Sequence, residues 1–219
     1  LNLPYSLLPN SQSFNPVSGI YNINNTADDN PMNQSTEERV RWTIADIELL
    51  PDNGNRYEII DGELFVTKIP HWNHQKASGN ACIELNKWSE LTGFGEAVIN
   101  PGIIFTNADS VIPDVVWVSK ERLTILLDEA GHLTGATELV IEVLSESVQD
   151  QRRDREVKLK LYASRGVQEY WILDWRLQQV EVYRRDKALL KLVETLFNTD
   201  DLTSPMLPNF ICPVSRLFI

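Results

Sequence analysis

One run constrains this chain more than any other. Leu139-Val140-Ile141-Glu142-Val143-Leu144 is apolar at every position but one, and near-continuous apolar runs belong to strands covered on both faces. A fold that buries such a strand needs layers on either side of a sheet. Glu142 interrupts the run, and a carboxylate there pays for desolvation unless something positive meets it. Its ordinary explanations are an edge position or a structural pair with an arginine.

A second acid sits in a comparable setting. Asp114 opens the apolar part of Val111-Ile112-Pro113-Asp114-Val115-Val116-Trp117-Val118; Pro113 before it cannot donate to a sheet ladder. A solvated aspartate at a strand end is the bland account. The stretch after Glu142 then turns basic. Over residues 151–165, Arg152, Arg153, Arg155, Lys158, Lys160 and Arg165 outnumber Asp154 and Glu156, and a helix is expected from about 150 to 164, closed by Gly166. Lys158 has Tyr162 as its i+4 neighbour on one helix face. Alone, the lysine reads as a solvated surface charge. Together, two strand acids and a lysine suit a divalent cation plus a charge-positioning amine, the equipment for hydrolysing phosphodiesters.

Other residues are weighed beside these. Glu58 and Glu63 flank a hairpin turn; Glu58 offers a third oxygen ligand, although hairpin glutamates usually face solvent. His74 falls on a long helix, where a lone histidine is more often a capping or hydrogen-bonding group than a ligand. Trp171 and Trp175 read as core or sheet-edge aromatics rather than base-stacking platforms. The chain has no Gly-rich phosphate loop, nucleophile elbow, HExxH or CxxC motif.

Charge bears on partners. A net charge of −11 over 219 residues argues against tight, sequence-blind binding to nucleic acid, because phosphate contacts supply most of that affinity. The basic stripe can still meet an anion locally, with Arg152, Arg153 and Arg155 as candidates for contacting phosphates. Cys82 and Cys212 have no metal-ligand spacing, so structural zinc is not expected. No run approaches the roughly 18 apolar residues that span a bilayer, and no signal peptide is recognisable at Leu1–Asn10. The default location is cytoplasmic, without membrane association.

Residues 1–38, rich in Asn, Ser and Pro, read as a flexible extension, leaving 39–219 as one domain. Thr43 is placed to cap a short helix. Residues 56–68 read as a hairpin around Asp61-Gly62. Ala77, Ala81, Leu85 and Trp88 give helical spacing from about His71 to Leu91, with Gly79 a weak point. Short strands follow near 96–100 and 102–105, then an irregular connection over 120–137. Strands after the basic helix and a proline-containing closing segment complete an α/β or α+β class around a mixed sheet, with an N-terminal hairpin.

In this order, RYEIIDGEL, His74 on a helix, PDVVWVS, LVIEVLSES, DREVKLKLYASRGVQEYWILD, VEVYRR and LPNFICPVSRLF resemble the Uma-two family. Its members are described as "putative restriction endonucleases" of the PD-(D/E)XK nuclease superfamily. The resemblance covers about 40–219. It implies a restriction-endonuclease-like mixed sheet flanked by helices and a Mg²⁺-dependent endodeoxyribonuclease, with Mn²⁺ as a substitute, DNA as partner and a homodimer as assembly. Asp114 matches the motif aspartate and Glu142 the acid of the next strand. Leu144 stands where the superfamily has its lysine, and Lys158 on the following helix is the match, with Lys160 nearby. Glu58 matches the acid before the turn and His74 the helix histidine. The rival is a non-catalytic interaction or regulatory protein retaining the fold; a hydrolase of small phosphoesters is a third reading.

Overall fold

Asp61 and Gly62 turn the chain back on itself as their residue types require. In the computed structural model, which describes residues 40–219, both have positive φ (51° and 75°). That is the geometry of a primed two-residue turn. The turn joins β1 (Arg56–Ile60) to β2 (Glu63–Thr67) in antiparallel register. Among the described residues, the one-turn helix α1 (Ile44–Ile47) precedes them, and its cap Thr43 shares hydrogen bonds with Asp46. The extension expected at 1–38 lies outside the described residues.

The hairpin is not a free appendage. β1 also pairs with β5 (Asp109–Val111), and β5 with β4 (Ile103–Thr106), giving a four-stranded sheet in the order β2-β1-β5-β4. The strand-like run from Val111 to Val118 is therefore divided between two strands. Pro113 removes a ladder donor, and the chain leaves one sheet at Val111 and enters the other at Val115.

The larger sheet has six strands. In chain order they are β3 (Gly95–Ile99), β6 (Val115–Ser119), β7 (Leu139–Val143), β8 (Glu169–Asp174), β9 (Gln179–Asp186) and β10 (Leu189–Phe197). The spatial order is β10-β9-β8-β7-β6-β3. β7 and β8 are parallel and every other pair is antiparallel. A parallel pair needs a crossover, supplied by α4 (Val148–Arg152), a π-helical turn (Arg153–Lys158) and α5 (Leu159–Arg165). Gly166 ends it at φ 99°, the left-handed cap that favours glycine.

Alternation along β7 assigns the faces. Leu139, Ile141 and Val143 pack with Ala77, Ala81, Leu85 and Trp88 of α2 (Trp72–Thr92). Val140 and Leu144 pack with Leu161 and Tyr162 of α5 on the other face. The helix spacing read from the sequence thus faces one layer of core. Glu142 shares parity with Val140 and Leu144, so the period of two aims it at the crossover helix.

Helix α3 (Lys120–Leu126) follows β6. β11 (Asp201–Thr203), β12 (Ile211–Pro213) and a 3₁₀ turn (Val214–Leu217) close the α2 layer through Leu202, Phe210, Val214 and Leu217. Both cysteines are free. Among the described residues, no helix is long and apolar enough to cross a membrane.

Candidate active site

The register of the large sheet brings the two strand acids together. Val115 pairs with Ile141 and Val116 with Val140, so one step further along this ladder Asp114 stands opposite Glu142. The Asp114 side chain continues the pairing where the backbone stops: Oδ2 accepts the Val143 N–H at 2.8 Å. Its position is fixed from two further directions. Arg56 Nη1 of β1 lies 3.1 Å from Oδ1, and His74 Nε2 of α2 lies 3.2 Å from Oδ2.

Glu142 is met from the crossover. Lys158 Nζ donates to Glu142 Oε1 at 2.9 Å, and the Tyr162 hydroxyl donates to the same oxygen at 2.7 Å. Lys158 Nζ is also 2.9 Å from Glu58 Oε1, an oxygen that accepts the Ile112 N–H at 2.9 Å. The π-helical turn ends at Lys158, and such insertions recur at functional sites because they re-aim a side chain. Glu58, Asp114, Glu142 and Lys158 are all at most 3% exposed. Their side chains line one cavity of about 170 Å³, together with His74 and Arg153.

Several sequence expectations can now be placed. Glu58 does not face solvent: β1 is an inner strand between β2 and β5, so its carboxylate points inward. His74 is buried against Asp114 rather than capping; His71 is the residue that caps α2. Lys160 is exposed and lines a different surface depression with Asp61 and Glu156. Arg152 is exposed and paired with Glu156. Arg155 is held by Glu181, its Nη2 2.6 Å from Oε1, so its charge is already committed. Of the three arginines proposed for phosphate, only Arg153 lines the cavity.

Sequence reasoning missed Arg56, Lys68 and Asp154, all on the cavity wall. Asp154 is buried with Oδ1 lacking a hydrogen bond, 4.0 Å from Lys158 Nζ. Its spacing of four before Lys158 was the available signal.

The sequence and the fold have counterparts among known proteins. The profile of Uma2, described as "Putative restriction endonuclease", matches residues 44–215. The chain belongs to the Uma2 family. Its fold is similar to the crystal structure of "a putative nuclease belonging to DUF820" from Anabaena variabilis. The TM-score is 0.63 at 20% identity, over 80% of this chain and 97% of that one. A weaker likeness is to the type IIG restriction endonuclease BpuSI, with TM-score 0.36 and 15% identity over 69% of this chain and 16% of that one. No curated protein matches the sequence. The Uma2 assignment makes the chain restriction-endonuclease-like and its mixed α/β architecture a nuclease fold.

Electrostatics distinguish the acids of this Uma2 site. Burial raises Asp114, but the His74 hydrogen bond and charge, the Val143 N–H and Lys158 outweigh it and hold the carboxyl below its usual range. Burial dominates at Glu142 and, with Asp114 and Glu58 nearby, pushes it up to about 7 against the pull of Lys158. Burial also drives Asp154 well up, partly opposed by Lys158 and Arg153. Lys158 stays charged, because Glu142, Glu58 and Asp154 together overcome its desolvation and raise its pKa.

This donor set suits a hard cation. It consists of carboxylate oxygens, and the hydrogen bonds to Glu142 from Lys158 and Tyr162 both fall on Oε1. Among the described residues no three His, Cys, Asp or Glu side chains converge tightly enough to cage an ion. Mg²⁺ does not need such a cage, since it is commonly held by one or two carboxylates and keeps several waters.

Proposed function

We propose that this Uma2 protein is a divalent-metal-dependent endodeoxyribonuclease. The observation that carries the reading is the convergence of Asp114, Glu142 and Lys158, distant in sequence, on the wall of one buried cavity. Asp114 and Glu142 would hold Mg²⁺, or Mn²⁺ in its place, with Glu58 reached through water. When bound, the cation supplies a polarised scissile phosphate and a more acidic attacking water.

The chain's own groups do the rest. Lys158 is a buried ammonium with three donors; it orients the attacking water and offsets the negative charge that gathers on the phosphoryl oxygens. Tyr162 fixes Glu142 by its hydrogen bond. His74 and Arg56 hold Asp114 in its orientation. Arg153, whose buried Nε makes no hydrogen bond although it lies 3.7 Å from Asp154 Oδ1, and Lys68 on the same wall receive phosphate oxygens. Cutting both strands of a duplex calls for two such sites, as a two-fold dimer would present.

Plasmid cleavage with Mg²⁺ or Mn²⁺ tests this directly. Wild type nicks or linearises the plasmid, and Asp114→Ala, Glu142→Gln and Lys158→Ala lose most of the activity. Equal products from all four proteins would end the reading.

A non-catalytic protein retaining the fold is the second reading. The looseness of the acid cluster as a metal cage favours it. Titration calorimetry discriminates between them, since the lack of any Mg²⁺ or Mn²⁺ binding that depends on Asp114 and Glu142 favours the non-catalytic reading.

A further inference from the structure

The mouth of the active-site cavity carries an aromatic stack that the proposed hydrolysis does not use. The rings of His71 and Trp175 lie parallel, with centroids 4.6 Å apart and planes 3° from one another. Both rings are anchored. The Trp175 indole N–H donates to the Leu144 carbonyl at 3.1 Å, two residues from Glu142. His71 Nδ1 accepts the Asn73 N–H at 3.1 Å as the N-cap of α2, three residues before His74.

His71 lines the same cavity as Asp114 and Glu142, yet is itself exposed. Trp175 takes one face of this exposed ring, which leaves the opposite face for a ligand. Trp72 beside it is 78% exposed, although indoles are seldom left so open. Lys68, also exposed, stands on the same wall to meet a phosphate.

We infer that the outer face of His71 stacks an unpaired nucleobase next to the phosphate held at Asp114 and Glu142. The inference rests on the nuclease reading and sharpens its substrate class. A base inside a duplex has both faces occupied by its neighbours, so a fixed ring at the cavity mouth selects a nucleotide that is single-stranded, mismatched or flipped out. The pre-formed stack lowers the ordering cost of that contact, because neither ring must be immobilised on binding.

The test uses the full chain with Ca²⁺ replacing Mg²⁺, and oligonucleotides carrying 2-aminopurine, whose fluorescence falls on stacking. One is single-stranded and one is fully paired. His71→Asn keeps a strong helix cap and removes the ring; His71→Phe keeps a ring and removes the cap acceptor.

Wild type and His71→Phe should quench the single-stranded probe, whereas His71→Asn should not. His71→Asn should bind that probe about 5- to 150-fold more weakly, the range of one lost base stack, with little change for the paired one. Undiminished quenching and binding by His71→Asn, with plasmid cleavage intact in wild type, overturns the stacking inference and leaves the nuclease reading standing. If wild type neither binds these probes nor cleaves plasmid, both fall together.

Discussion

Lys158 bridges Glu142 and Glu58, with Nζ 2.9 Å from a carboxylate oxygen of each. One ammonium thereby joins the strand at the centre of the large sheet to the hairpin of the small one. A buried charge with two buried partners is costly to break from one side, because the remaining charges lose their compensation. Lys158→Met should destabilise the fold by roughly 3–5 kcal/mol, read by denaturant unfolding. Adding Glu142→Gln should recover part of that loss. A double variant no more stable than Lys158→Met alone would show that the two groups are not coupled.

Asp114→Ala should also cost stability, by a different route. It strips the buried Val143 N–H of its acceptor, worth about 1–3 kcal/mol. Asp114→Asn keeps an acceptor oxygen there and should retain much of the stability while losing metal binding. Urea melts of the two variants compare these directly, and equal losses would argue against the hydrogen-bond account.

The fold and part of the candidate site were legible because period and burial leave marks on sequence. The Asp61-Gly62 turn, the spacing from Ala77 to Trp88 and the acid within the apolar run of β7 each have one local cause. Glu58 was harder. Whether a hairpin glutamate is buried depends on β5 pairing with β1 across the turn's outer edge, a contact between segments about fifty residues apart. Asp154 and Arg56 look like ordinary surface charges in sequence; only the π-helical turn and the sheet-to-sheet crossing bring them to the cavity. The Trp175 stack escaped for the same reason, because its partner belongs to another element.

Arg153 and Arg155 should behave oppositely despite their proximity. Arg155 is committed to Glu181 and part-exposed, so Arg155→Ala should cost about 1 kcal/mol or less of stability and leave DNA binding unchanged. Arg153→Ala should weaken DNA binding and lower the dependence of log K on log salt by about one unit. Fluorescence anisotropy at several salt concentrations separates them; the same slope for wild type and Arg153→Ala would remove Arg153 from the phosphate contacts.

Glu142 should imprint a pH dependence on the metal-free protein. Its ordinary pKa is 4.5 and burial places it at about 7 in the folded state. Between those values the unfolded chain sheds a proton that the folded chain keeps, so stability falls as pH rises. Lys158 opposes this shift, while Asp114 and Glu58 reinforce it. In EDTA, unfolding free energy should decline from pH 4.5 to 7, and Glu142→Gln should flatten that decline. An unchanged slope in the variant would assign the titration elsewhere.

In the proposed nuclease, Asp114 and Glu142 would share one cation beside Lys158. Anomalous scattering from crystals soaked in Mn²⁺ locates such an ion without relying on turnover. A peak in contact with oxygens of both carboxylates is expected in wild type and none in Asp114→Ala. A peak bound elsewhere, or wild-type crystals with no peak at these two side chains at saturating Mn²⁺, would contradict it.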